Sequence, residues 1–149
     1  MSAPRTITIL GATGSVGRST LDLIARAPER YEIVALTARR DLDGLVELAR
    51  RFRPRLAVIG DESRLAALRD ALAGSGTEAR AGDTAIVEAA GAGADWTMAA
   101  IVGTAGLEPA MKALEGGGTV AFANKEALVS AGDLMMQAAA ASGATLLPV

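Results

Sequence analysis

The chain has 149 residues, enough for one domain with a sizeable core, and 50% of them are hydrophobic against a formal net charge of −2. Two Phe, one Tyr and one Trp make no aromatic platform for stacked bases, and the charge supplies no basic field, so nucleic-acid binding is excluded. The lack of Cys and His excludes disulfides, thiolate chemistry and Ser–His or Cys–His couples, and leaves a metal ion only carboxylates, which form no cluster at ligand spacing.

The first element is strand Thr6–Leu10, which runs into Gly11-Ala12-Thr13-Gly14-Ser15-Val16-Gly17. A buried strand, three glycines and a helix form a cradle for the phosphates of a nucleotide. Gly11 takes the sharp turn, Gly14 lets the backbone approach a pyrophosphate, and Gly17 lets the helix pack on the strand. The helix from about Ser15 to Ala27 directs its free N–H groups and its positive end at the anion. Val16, Leu23, Ile24 and Ala27 are expected on its buried face, and it stops before Pro28. The bland alternative is a tight strand-to-helix turn with no ligand.

Strand Tyr31–Thr37 follows and runs out into Ala38-Arg39-Arg40-Asp41. Dinucleotide folds read the adenosine ribose about 20 residues past the glycines, where an acidic residue selects NAD. Two guanidinium groups suit a 2′-phosphate instead, which favours NADP; the alternative is a solvated basic pair in a surface turn. Asp41 is expected to cap helix Leu42–Arg51, whose Leu42, Leu45, Val46 and Ala49 recur at helical spacing. Strand Leu56–Ile59 comes next, then helix Glu62–Ala73 capped by Asp61 and ended by Gly74-Ser75-Gly76. Glu78–Ala81 reads as a short strand and Asp83–Glu88 as a small helix.

Strand Trp96–Val102 leads to a second glycine turn, Gly103-Thr104-Ala105-Gly106, then helix Leu107–Leu114 and the Gly116-Gly117-Gly118 stop. Ala100, Ile101 and this turn are placed either against a nicotinamide or, with Thr104 as cap, in a purely structural role. Strand Thr119–Ala123 precedes Asn124-Lys125-Glu126, at the carboxyl edge where ligands sit in an open parallel sheet. Asn124 offers donor and acceptor groups, Lys125 a point charge for a phosphate or oxyanion, and Glu126 an acceptor for ribose hydroxyls. A helix start with Asn124 as cap explains Asn124 and Glu126 equally well. It explains Lys125 poorly, because a cation is disfavoured at that end. Helix Ala127–Ala141 and a strand over Ala144–Val149 complete the chain; Trp96, Met135 and Met136 are expected in the core.

Strands and helices alternate throughout, which predicts an α/β, Rossmann-like, doubly wound and mainly parallel sheet with helices on both faces. No apolar run reaches the ~18–20 residues of a bilayer span, and no leader-like segment opens the chain, so no membrane partner and a cytoplasmic location are expected. The apolar ending predicts one domain of a longer protein. No general base is evident, so no catalytic residue is assigned.

The motifs at 11–23, 34–38, 99–107, 123–129 (Ala-Asn-Lys-Glu-Ala-Leu-Val) and 146–149 (Leu-Leu-Pro-Val), in this order, resemble the N-terminal domain of the 1-deoxy-D-xylulose 5-phosphate reductoisomerase family. The resemblance covers essentially the whole chain, and its last two stretches are the distinctive ones. It implies an NADPH-binding domain over 1–149, with the family's catalytic and C-terminal domains outside this chain. It implies conversion of 1-deoxy-D-xylulose 5-phosphate to 2-C-methyl-D-erythritol 4-phosphate in non-mevalonate isoprenoid biosynthesis, with Mg or Mn, by a homodimer. Carried over by motif, Thr13, Gly14, Ser15 and Val16 contact the cofactor phosphates, and Arg39, Arg40 and Asp41 fall at the 2′-phosphate. Asn124 and Glu126 match cofactor contacts and Lys125 a substrate contact. Many members carry a Gly-Lys-Asn-like trio where this chain has Arg39-Arg40-Asp41; Arg40 keeps the Lys charge, and its neighbours depart. The resemblance puts the metal-binding acids beyond Val149, so the chain alone is expected to bind NADPH and catalyse nothing. The competing functions are a non-catalytic NADP(H) sensor and another NADP-dependent reductase with the same glycine spacing.

Overall fold

The computed structural model describes residues 3–149. Seven strands form one sheet: β1 (Arg5–Leu10), β2 (Tyr31–Ala38), β3 (Leu56–Ile59), β4 (Glu78–Ala81), β5 (Trp96–Ala99), β6 (Thr119–Phe122) and β7 (Thr145–Pro148). The order is β4-β3-β2-β1-β5-β6-β7, and every neighbouring pair is parallel. The chain walks outward from β1 to β4, then returns to lay β5 on the other side of β1. The carboxyl ends of β1 and β5 therefore flank the topological switch point, where such sheets open a crevice.

Six helices cover the two faces: α1 (Ser15–Ala25), α2 (Leu42–Phe52), α3 (Leu65–Ala71), α4 (Asp83–Ala90), α5 (Leu107–Glu115) and α6 (Lys125–Ser142). On one face Leu21 and Ile24 of α1, Leu45 and Leu48 of α2 and Leu68 of α3 pack on Ile7, Ile9, Leu36 and Ile59. On the other, Ile86 and Ala89 of α4 meet Val34 and Val58, while Leu114 and Met135 of α5 and α6 meet Leu10, Val120 and Phe122. With aliphatic side chains on both sides of its central strands, the sheet needs β-branched, near-continuous apolar strands, which is what the sequence supplies. Each fully buried Leu, Ile or Phe here contributes about 1.5–3 kcal/mol of transfer free energy.

The α1 face differs from expectation. Gly17, Leu21 and Ile24 are its buried residues, whereas Val16 lies at the exposed tip and Leu23 is 62% exposed. Gly17 sets the phase: a Cβ there would lie 2.7 Å from Ala12 Cα and overlap the Gly11 carbonyl. Only the glycine face of the helix can approach that closely. The helix ends at Ala25, and a short 3-10 turn, Pro28–Arg30, leads into β2.

Three other elements differ. The helix expected over 62–73 is a 3-10 turn, Glu62–Arg64, followed by α3, because Asp61 accepts from both the amide (3.0 Å) and the hydroxyl (2.6 Å) of Ser63. The strand expected to reach Val102 ends at Ala99, and the next residues leave the sheet to wall the crevice. The α6 helix starts at Lys125 and is broken at Ala131, where φ is −133° and ψ 17°. Met135 is fully buried but Met136 is 61% exposed, so only the first of the pair is core.

Candidate functional site at the switch point

The glycine turn is held from two sides. The Gly11 amide donates to Thr37 Oγ1 (3.0 Å) and the Ala12 amide to the Thr37 carbonyl (2.8 Å), which ties the turn to the end of β2. Gly11 has φ +78°, and a Cβ on it would lie 2.7 Å from the Ala100 carbonyl oxygen beyond β5. Gly11 is thus glycine for two reasons, backbone conformation and the approach of the next chain segment. Thr37 is a supporting residue that motif reading passes over; the one sign of it is a hydroxyl directly after the apolar run 33–36 of β2, and it is 1% exposed.

Gly14 is different. Its φ is −77° and a Cβ would meet nothing nearer than the Gly11 carbonyl at 3.6 Å. Neither conformation nor packing inside the protein asks for glycine there. The space beside it is part of an open cleft of about 220 Å³ bounded by Gly11, Thr13, Thr37, Arg39 and Ile101. Gly14 caps α1 without any side-chain bond, and no acidic residue stands in the first turn. The amides of Ser15 and Val16, in the first turn next to Gly14, have no intrahelical acceptor and lie at the positive end of the helix, an arrangement suited to an anion. The donors, the dipole and a missing Cβ coincide there. Arg18 steadies the loop by donating from Nε to the Thr13 carbonyl (3.0 Å).

Arg39 and Arg40 follow β2 at the same edge, both exposed. Arg39 pairs with Asp83 at the start of α4. Asp41 caps α2, accepting from the Gly44 amide at 2.9 Å, and stands 3.9 Å from Arg18. Its cap role accounts for its position. Asp61, after β3, is held below the ordinary carboxylate range first by the Ser63 hydroxyl, then by the Ser63 amide, with Arg64 adding to the effect.

Asn124 is 5% exposed and joins two loops. Its Nδ2 donates to the carbonyls of Gly103 (2.7 Å) and Ile101 (3.2 Å), and its Oδ1 accepts from the Ala127 amide at 3.1 Å as the cap of α6. The amide group is engaged within the protein, leaving the main chain and one lone pair for any ligand. Lys125 and Glu126, the first residues of α6, are exposed. Thr104 opens a 3-10 turn and makes no side-chain cap, so the structural role considered for it is absent; it faces a smaller hollow beside Arg39. Residues 13–16, 39–41 and 124–126 are thus brought to the carboxyl edge of the sheet.

A second hollow of about 170 Å³ lies at the opposite edge, among Leu23, Tyr31 and Trp96 with Arg5 at its rim. Its lining is the more apolar of the two but it is more open to solvent, no glycine turn or helix start faces it, and the anion-binding features stay with the switch point. Among the described residues no group of three or more Asp or Glu side chains is gathered that would hold a metal ion, and no helix is long and apolar enough to cross a membrane.

Comparison with known proteins agrees with this geometry. A family profile described as 1-deoxy-D-xylulose 5-phosphate reductoisomerase matches residues 7–132. Proteins of that name from Zymomonas mobilis and a Bradyrhizobium species are 58% and 56% identical over 149 and 144 residues, 100% and 97% of this chain. The chain spans 38% and 35% of their lengths. The solved Zymomonas mobilis protein in complex with NADPH is 57% identical with a TM-score of 0.95, covering 97% of this chain and 38% of that one. A reductoisomerase structure with NADPH, fosmidomycin and magnesium is 41% identical with a TM-score of 0.91, covering 97% of this chain and 36% of that one.

Proposed function

Since the chain belongs to the 1-deoxy-D-xylulose 5-phosphate reductoisomerase family, we propose that residues 1–149 are its NADPH-binding domain. The observation that carries this reading is Gly14: its missing side chain serves no need of the fold and leaves room beside the open amides of α1. Thr13, Gly14, Ser15 and Val16 hold the diphosphate. Arg40 and Arg39 follow β2 on the side where the 2′-phosphate of the adenosine is read, Arg40 as the free charge that meets it, with Asp41 fixing the loop that bears them. Asn124 sets the wall next to the nicotinamide, and Glu126 accepts from ribose hydroxyls.

When bound, the reduced nicotinamide supplies a hydride. The chain's own part is to orient it at the carboxyl ends of β5 and β6, where Lys125 presents a positive charge to a phosphorylated substrate. The proposed substrate is 1-deoxy-D-xylulose 5-phosphate, and the whole enzyme, a homodimer in the cytoplasm, forms 2-C-methyl-D-erythritol 4-phosphate for isoprenoid synthesis. The described residues do not fit the Mg or Mn ion of that reaction, whose ligands belong to another part of the enzyme.

The test is a titration of this chain with NADPH and NADH, followed by cofactor fluorescence. NADPH should bind more tightly, and Gly14→Val should abolish binding of both while circular dichroism and melting stay near wild type. Equal affinities would remove the 2′-phosphate role of the arginines. Undiminished binding by Gly14→Val would leave the turn a purely structural feature.

A further inference from the structure

Arg39 and Arg40 leave β2 side by side, yet their surroundings differ. Arg39 donates from Nη1 to the carboxylate of Asp83, in the first turn of α4. It also lies along Gly60 at the end of β3, where a Cβ would come within 2.9 Å of Arg39 Cδ and Nη1. Its guanidinium stands where the main cleft meets a hollow of about 140 Å³ that runs on to Thr104 and Glu108, with Ile86 lining both. Arg40 forms no ion pair among the described residues.

Asp83 has a structural reason to stand at a helix start, since a carboxylate there favours the dipole. That reason does not require an arginine from β2 to reach it. Nor does the pair hold the fold together: the side chains are 46% and 80% exposed, and such pairs contribute at most about 1 kcal/mol. What the pair does change is the charge and the direction of the guanidinium offered to a ligand at the end of β2. A guanidinium already engaged by a carboxylate, and held along Gly60, is not free to grip a phosphate bidentately.

We propose that Asp83 is a specificity-determining residue: it holds Arg39 away from the 2′-phosphate and so limits the preference of the site for NADPH over NADH. Arg40 then carries the discrimination, and the Arg39–Asp83 pair forms a near-neutral wall beside Ile86. The proposal rests on the NADPH-binding reading given above.

The experiment measures dissociation constants of NADPH and NADH for wild type, Asp83→Asn, Arg39→Ala and the double variant. Asp83→Asn should raise the NADPH-over-NADH preference about three- to tenfold, the size expected for freeing one charge near a solvent-exposed phosphate. In the Arg39→Ala background the same change should alter the preference by less than about twofold, because no guanidinium remains to be released. An unchanged preference in Asp83→Asn overturns the proposal alone. An equal gain with and without Arg39 overturns it too, since the carboxylate would then act only through its own field. No saturable binding of either cofactor by wild type would overturn the NADPH reading and the proposal together.

Discussion

Among single residues, Thr8 stands out in β1. It is 1% exposed, and its Oγ1 has no hydrogen-bond partner among the described residues. A buried, unpaired hydroxyl costs about 1–3 kcal/mol relative to a satisfied one. Thr8→Val keeps the shape and removes the polar atom, so it should stabilise the chain by about 1 kcal/mol, raising the melting temperature by about 2–4 °C. Thermal melts of the two proteins check this, and a lower melting temperature would show that the hydroxyl is satisfied by solvent. Single residues also mark what pattern reading can and cannot recover. Gly11 and Gly17 are readable because only glycine satisfies a sharp turn and a tight packing at that spacing. Thr37 and Asp83 are not. Each acts through a partner 26 or 44 positions away, Gly11 for the one and Arg39 for the other, and a separation of that size has no local signature.

The elements were legible from hydrophobic period and glycine punctuation, and their limits less so. The strand after Trp96 reads as apolar through Val102. The chain nevertheless turns away after Ala99 because Gly11 comes up against Ala100, a contact between distant segments. The buried face of α1 departs from its hydrophobic spacing for the same kind of reason: the closeness of Gly17 to Gly11 and Ala12 outweighs the side chains of Val16 and Leu23. Asn124 shows how one cap can join two elements, since the amide that starts α6 also holds the carbonyls of Ile101 and Gly103. Asn124→Ala should therefore cost about 1–3 kcal/mol, the loss of a cap together with two carbonyls left without their donor. Hydrogen exchange should quicken at Gly103–Gly106 as well as at Ala127. Faster exchange at Ala127 alone would mean that the side chain is a cap and nothing more.

In the molecule as a whole, the two halves of the sheet meet along β1 and β5, and a reciprocal clasp closes their starting ends. The Thr6 amide donates to Asp95 Oδ2 (2.9 Å) and the Asp95 amide to Thr6 Oγ1 (2.8 Å). The Thr6 amide first, and its side chain second, hold the Asp95 carboxyl below the ordinary aspartate range. A carboxyl depressed in the folded state adds stability above the unfolded value of about 3.9, and that stability is lost as pH falls through the folded value. Asp95→Asn should therefore flatten the fall of melting temperature below about pH 4, and equal slopes in the two proteins would deny the clasp this role. The broken α6 has a different bearing on the molecule. Because the backbone leaves helical geometry at Ala131, the turns that bear Lys125 and Glu126 are not one continuous lever with those that seat Met135 and Ala139 in the core. A tug on the ammonium group at the mouth of the crevice is absorbed at that joint, and the far end of the rod stays where the sheet anchors it.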